Sequence, residues 1–125
     1  MPITPEQFNA MQQRLAPKVR FPVPEDAVEE ESGLHAEILD WIRQQVPMPA
    51  YIHARMDKKA TINKGAPDFC IFWKGRTILI EAKTRTGKRS PDQLAWGLRA
   101  ELNGFKVREC RSMTQFLNIV NEQTP

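Results

Sequence analysis

Apolar positions in this chain recur with two different periods. Between about Glu29 and Gln45 they fall at Leu34, Ile38, Trp41 and Ile42, the spacing of a single helix face. Pro47 and Pro49 stop that helix. Upstream, Thr4-Pro5-Glu6-Gln7 reads as an N-cap, a proline at the first helical position and a capping-box glutamine. Phe8, Met11 and Leu15 then make a short stripe, so a first helix is expected to end near Leu15. Pro17, Pro22 and Pro24 turn the next stretch into an extended linker. Residues 1–24 are thus expected to be an N-terminal helix and Pro-rich linker, free to pack separately or on a partner chain. Residues 25–125 form the main domain.

Beyond Pro49 the period changes. Tyr51 to Met56 suits a strand, and Asp57 to Ala66 is a polar, basic loop with Asn63-Lys64-Gly65 turn chemistry. Phe69–Trp73 and Thr77–Ile80 are apolar on both faces, as expected of central strands covered on both sides. Ser90-Pro91-Asp92-Gln93 is a second cap–proline–capping-box start, opening a helix to about Asn103 with Gly104 just beyond it. Phe105 to Cys110 alternates like a strand, and Ser112 with Gln115 opens a last helix to about Glu122. The order α, α, β, β, β, α, β, α predicts an α/β fold, a mixed central sheet flanked by helices.

A length of 125 residues suits one domain with a proper core, and a 41% hydrophobic share argues against wholesale disorder. No apolar run approaches the roughly 18–20 residues of a membrane span, and the N-terminus lacks a signal-peptide core. Cys70 and Cys110 have no CxxC partner and are expected to be reduced core residues of an intracellular protein. The net charge of +3 hides an asymmetry. Seven acids and no Lys or Arg lie between Glu25 and Asp40, whereas Arg55 to Arg89 carries ten bases against three acids. Two of those three are Asp68 and Glu81. A basic segment whose few acids are paired is what an enzyme acting on a phosphate backbone needs.

The pairing follows from the turn. If Trp73-Lys74-Gly75-Arg76 closes a hairpin, Trp73 opposite Arg76 puts Asp68 opposite Glu81. Cross-strand partners share a face with Cβ atoms roughly 4.5–5.5 Å apart, and Lys83 falls on that face by alternation. Asp68 and Glu81 offer hard oxygen ligands suited to Mg²⁺ or Mn²⁺, and the Ala82 carbonyl can join them. His35 and His53 do not stand in HxxxH spacing, which argues against a zinc hydrolase. No P-loop, GxGxxG or Ser-His-Asp arrangement competes.

Gly65-Ala66-Pro67-Asp68, Glu81-Ala82-Lys83 and Gly87…Ser90…Gln93 together resemble the PD-(D/E)XK nuclease superfamily. Within it they are most similar to the virus-type replication-repair nuclease (VRR-NUC) domain, over roughly Glu31 to Val120. The resemblance implies a restriction-endonuclease-like core and metal-dependent hydrolysis of DNA phosphodiester bonds. Asp68 and Glu81 then correspond to metal ligands and Lys83 to the catalytic lysine. Small stand-alone members resemble Holliday-junction resolvases acting as homodimers, so branched or junction DNA is the expected substrate and repair or recombination the expected setting. A flap, nicking or restriction-like nuclease is the alternative on this fold, and a DNA-binding module without catalysis a more distant one. The short form suggests a phage or prophage origin and action in the bacterial cytoplasm.

The family also carries a glutamate on its first core helix. Glu31 shares a face with Leu34, Ile38 and Ile42, whereas Glu37 lies about 85° from the stripe centre at ~100° per residue, so Glu31 is the candidate catalytic and metal-binding residue. In Glu31-x-x-Leu34-His35-x-x-Ile38, His35 stands where a glutamine is expected. Gln93 has two compatible readings: it reaches the active site as a catalytic residue, or it completes a cap with Ser90. Lys58, Lys59, Lys64, Arg85, Lys88 and Arg89 flank the site and are candidate DNA-backbone contacts. Trp96 lies off its helix's Leu94/Leu98/Leu102 stripe, suited to a dimer contact, a stacking platform or burial under another element.

Overall fold

The computed structural model describes residues 4–8, 23–54 and 64–122. Residues 5–8 are helical, opened by a reciprocal box in which the Gln7 N–H donates to Thr4 Oγ1 and the Thr4 N–H to Gln7 Oε1. The expected remainder of that helix, most of the Pro-rich linker and most of the loop after residue 54 lie outside the described residues.

Four strands, β1 (Ala50–His53), β2 (Phe69–Trp73), β3 (Arg76–Ala82) and β4 (Val107–Cys110), form one sheet in that order. β1, β2 and β3 run antiparallel, while β4 joins β3 in parallel after a crossover through a helix. The sheet is therefore mixed, as the sequence order predicts. The β2–β3 turn has Lys74 at φ 50° and Gly75 at φ 73°, the two positive values that a tight two-residue hairpin loop requires. The Lys74 ammonium lies 4.3 Å from the centre of the Trp73 ring, which helps hold the non-glycine residue there. Trp73 pairs with Arg76 and Phe69 with Ile80. One step further along that register brings Asp68 opposite Glu81, as expected.

Three helices flank the sheet: α1 (Glu31–Gln44), α2 (Pro91–Leu102) and α3 (Met113–Val120). On one face α1 packs Leu34, Ile38 and Ile42 and α3 packs Phe116, Ile119 and Val120 against Phe69, Ile71, Ile78, Ile80, Ala82 and Cys110. Trp41 of α1 meets Trp73 and Phe116 edge-on, sealing that layer at the hairpin end. The opposite face carries the alternate residues. There α2 contributes buried Leu98, and β3 its buried Leu79 and Glu81.

The expectation that both central strands are covered on both sides holds for β3 but not for β2. Phe72 is 45% exposed, as is its diagonal neighbour Ile52 at 63%. Four strands span roughly 19 Å at about 4.8 Å each, and one helix about 10–12 Å across covers only the β3–β4 half. Alternation of polar and apolar residues signals one open face; uniform apolarity does not reveal which residues stay open.

Both ends of α2 follow its sequence signals. Ser90 accepts from the Gln93 N–H and Gln93 accepts from the Ser90 N–H, closing the capping box. Gly104 at φ 88° ends the helix, with its N–H on the Glu101 carbonyl and the Phe105 N–H on Ala100, a Schellman arrangement. α3 opens with Ser112 accepting from the Gln115 N–H, while the Gln115 amide oxygen turns back to the Arg111 N–H.

Candidate active site

Asp68 and Glu81 meet where β2 begins and β3 ends. The Ala82 N–H donates to Asp68 Oδ2 at 2.8 Å, and the Ala54 N–H donates to the Asp68 carbonyl at 2.8 Å. The aspartate is thereby tied to both neighbouring strands. Gly65 sets its approach. At φ +85° it adopts a backbone that L side chains rarely take, and a Cβ there would lie 2.1 Å from the Asp92 carbonyl oxygen. The loop carrying Pro67 and Asp68 therefore rests directly on the first turn of α2. Gly65→Ala is expected to destabilise the fold by about 1–3 kcal/mol and to lower activity by pushing Asp68 off Glu81. A denaturant titration and a cleavage assay on one preparation check both effects.

Glu81 is 2% exposed, and its Oε1 accepts from Gln93 Nε2 at 3.0 Å. Both readings of Gln93 are thus realised in one side chain: its oxygen completes the cap and its nitrogen holds the carboxylate. Burial, with the charge of Asp68 beside it, pushes the Glu81 carboxyl up to about 9, although Lys83 and Arg89 pull it down. Burial also works to raise Asp68. It is outweighed by the His35 ring, the Ala82 amide and a hydrogen bond with Glu81, which hold the Asp68 carboxyl below its ordinary value. Two like charges this close do not both ionise readily. At neutral pH Glu81 keeps the proton and Asp68 the charge.

Lys83 follows β3 directly, its N–H on the Cys110 carbonyl at 2.8 Å. Its aliphatic stem passes Gly87, where a Cβ would lie 3.4 Å from Lys83 Cδ. The segment after it is pinned by buried Arg111, whose guanidinium donates to the Thr84 carbonyl and to Glu109. Arg85 donates to Glu29 and to the carbonyls of Glu25 and Ala27, while the Val28 carbonyl accepts from the Arg85 N–H. Arg89 lies against the Val107 carbonyl and Glu109. Of the six basic candidates, these two arginines are engaged within the protein. Lys64 and Lys88 are exposed, and Lys58 and Lys59 lie outside the described residues.

Glu31 is the first residue of α1, half-buried and one turn before His35, while Glu37 is exposed. Among the described residues no group of three or more His, Cys, Asp or Glu side chains is preformed as a metal cluster. What α1 brings to the site is His35, whose Nε2 is 3.5 Å from Asp68 Oδ2 and whose Nδ1 is 3.0 Å from His53 Nε2. His53 stacks on Phe69 at 4.3 Å with a 4° interplanar angle. Burial, then His35, lowers its pKa against the pull of Asp68. Spacing could not reveal this histidine pair, because one member lies on α1 and the other on β1. The one sequence signal was a histidine in a glutamine's place. Trp96 is half-buried.

A mixed sheet bearing a strand-end carboxylate pair with an adjacent lysine defines the restriction-endonuclease-like class of α/β proteins. The family model for the VRR-NUC domain matches residues 9–114, and the chain belongs to that nuclease family. The match takes in residues 9–30, upstream of the motifs that carry the resemblance, and stops at the start of α3. No curated protein and no solved structure matched. No helix among the described residues is long and apolar enough to cross a membrane.

Proposed function

We propose that this nuclease domain is a metal-dependent, structure-selective DNA endonuclease that cuts branched DNA, Holliday junctions foremost, as a homodimer. The observation that carries the reading is the Asp68–Glu81 pair: a half-buried and a buried carboxylate that meet at one strand end, with Lys83 beside them. Such a pair fits a hard divalent cation, Mg²⁺ or Mn²⁺, whose charge replaces the Glu81 proton and lets both groups ionise.

Asp68, Glu81 and the Ala82 carbonyl would hold the cation, with Glu31 as a further carboxylate from α1. The cation supplies positive charge that acidifies water and polarises the phosphoryl oxygens. Gln93 keeps the Glu81 carboxylate turned toward Asp68. Lys83 places its ammonium against charge that develops on the phosphate oxygens. Lys64 and Lys88, with Lys58 and Lys59, would bind backbone phosphates, positioning the DNA without reading its sequence. Arg85 and Arg89 serve first to hold the segment after Lys83 in place.

A homodimer supports symmetric cleavage because two identical sites then face two strands of a junction. The test is a panel of duplex, flap, fork and four-way junction DNAs with Mg²⁺ or Mn²⁺, alongside light scattering. Paired symmetric nicks on the junction and twice the 14.4 kDa chain mass are expected. Cuts confined to flaps or plain duplex would assign the flap or restriction-like alternative. Binding without any cut would assign the non-catalytic module, and a single-chain mass with and without DNA would rule out the dimer.

A further inference from the structure

His35 is 6% exposed, and its Nε2 is buried without a hydrogen-bond partner. It faces Asp68 Oδ2 at 3.5 Å, beyond the roughly 2.7–3.2 Å of an N–H···O hydrogen bond. That oxygen already accepts from the Ala82 N–H. At its other nitrogen the ring is well held, 3.0 Å from His53 Nε2. In the metal-free protein Nε2 lies at ion-pair distance from Asp68 and helps hold its carboxyl low. A cation between the two requires the His35 proton on Nδ1, donated to His53, so that Nε2 offers its lone pair. Donors 3.5 Å apart are close enough for one ion to reach both at about 2.0–2.2 Å.

We propose that His35 is a ligand of the divalent cation through Nε2, paired with Asp68, and that His53 fixes its tautomer. The proposal rests on the metal-dependent reading above and adds a nitrogen donor to its oxygen set. A metal-bound imidazole usually donates its other N–H to an outer partner, which orients the ring and raises its basicity. His53 fills that place, itself held flat against Phe69. The nitrogen donor biases the site from Mg²⁺ toward Mn²⁺ and later transition ions, for which imidazole is the better ligand.

The experiment is pulsed electron-spin-echo spectroscopy of Mn²⁺ bound to the full chain without DNA, which registers directly coordinated nitrogen independently of cleavage. Wild type is expected to show nitrogen modulation. His35→Gln should lose it while still binding Mn²⁺. His53→Ala should keep it but bind Mn²⁺ ~10–100-fold more weakly. Histidine labelled with heavy nitrogen in the wild type provides a readout independent of any variant's folding, since the modulation must change with the isotope. Bound Mn²⁺ without nitrogen modulation, or modulation that persists in His35→Gln, overturns the proposal and leaves the metal-nuclease reading intact. Absence of any protein-bound Mn²⁺ overturns both.

Discussion

Lys83→Ala is expected to lower the single-turnover rate of DNA cleavage by about 10²–10³-fold, with DNA affinity falling no more than one lost phosphate contact allows. The magnitude reflects how firmly the backbone that carries the ammonium is held. That backbone is anchored on Cys110, and the chain beyond it is fastened by Arg111 and Arg85. A fixed cation stabilises charge that grows on the phosphate without reorganising at the moment of reaction. Lys83 is also one of two cations that pull the Glu81 pKa down. Its loss is therefore expected to leave Glu81 protonated to higher pH and to weaken the proposed metal binding as well. Lys83→Arg is not expected to rescue the rate, because a planar guanidinium does not occupy the place of a compact ammonium. A Lys83→Ala enzyme that cuts at the wild-type rate would remove the lysine from the chemistry.

Glu81→Gln is expected to abolish cleavage and, unusually for an active-site change, to stabilise the metal-free protein in mildly alkaline solution. Glu81 is a carboxyl whose folded pKa, about 9, lies above its ordinary 4.5. The folded state binds the extra proton, so its stability is greatest below pH 4.5 and falls as pH rises toward 9. Asp68 acts in the opposite sense. Its folded pKa lies below 3.8, so its contribution is present above that pH and is lost in acid. Neutral glutamine keeps the shape of Glu81 and removes the alkaline loss. Melting temperatures between pH 5 and 9 should therefore decline in wild type and run nearly flat in the variant. Saturating Mn²⁺ should restore the wild type, by about 2.7 kcal/mol at a hundred times Kd, and leave Glu81→Gln unmoved. Equal pH slopes in the two proteins would contradict a proton held on Glu81.

Local rules made much of this site legible from sequence. A two-residue hairpin loop fixes strand register, and register alone placed Asp68 against Glu81. Capping boxes at Thr4 and Ser90 and the glycine after α2 are short-range devices and stand as the sequence implies. The α1 stripe correctly put Glu31 on the inward side and Glu37 in solvent. Contacts between distant segments were not legible. The meeting of His35, His53 and Asp68 depends on how α1 settles over β1. The engagement of Arg85 and Arg89 depends on where the crossover returns β4 and on the acidic stretch that meets Arg85. Both arginines read as candidate DNA-backbone contacts because the basic run gave no sign of their acidic and carbonyl partners. Exposed Phe72 and Ile52 likewise depend on the breadth of the sheet relative to one helix.

Assays of wild type and Asp68→Asn on labelled junction and duplex DNA, with Mg²⁺, with Mn²⁺ and with chelator, show whether Asp68 and Glu81 hold a divalent cation that drives phosphodiester cleavage. Wild type is expected to cut with either ion and not with chelator, and Asp68→Asn to fold, bind DNA and cut under none of these conditions. Cleavage by Asp68→Asn at the wild-type rate, or wild-type cleavage undiminished by chelator, would contradict the account.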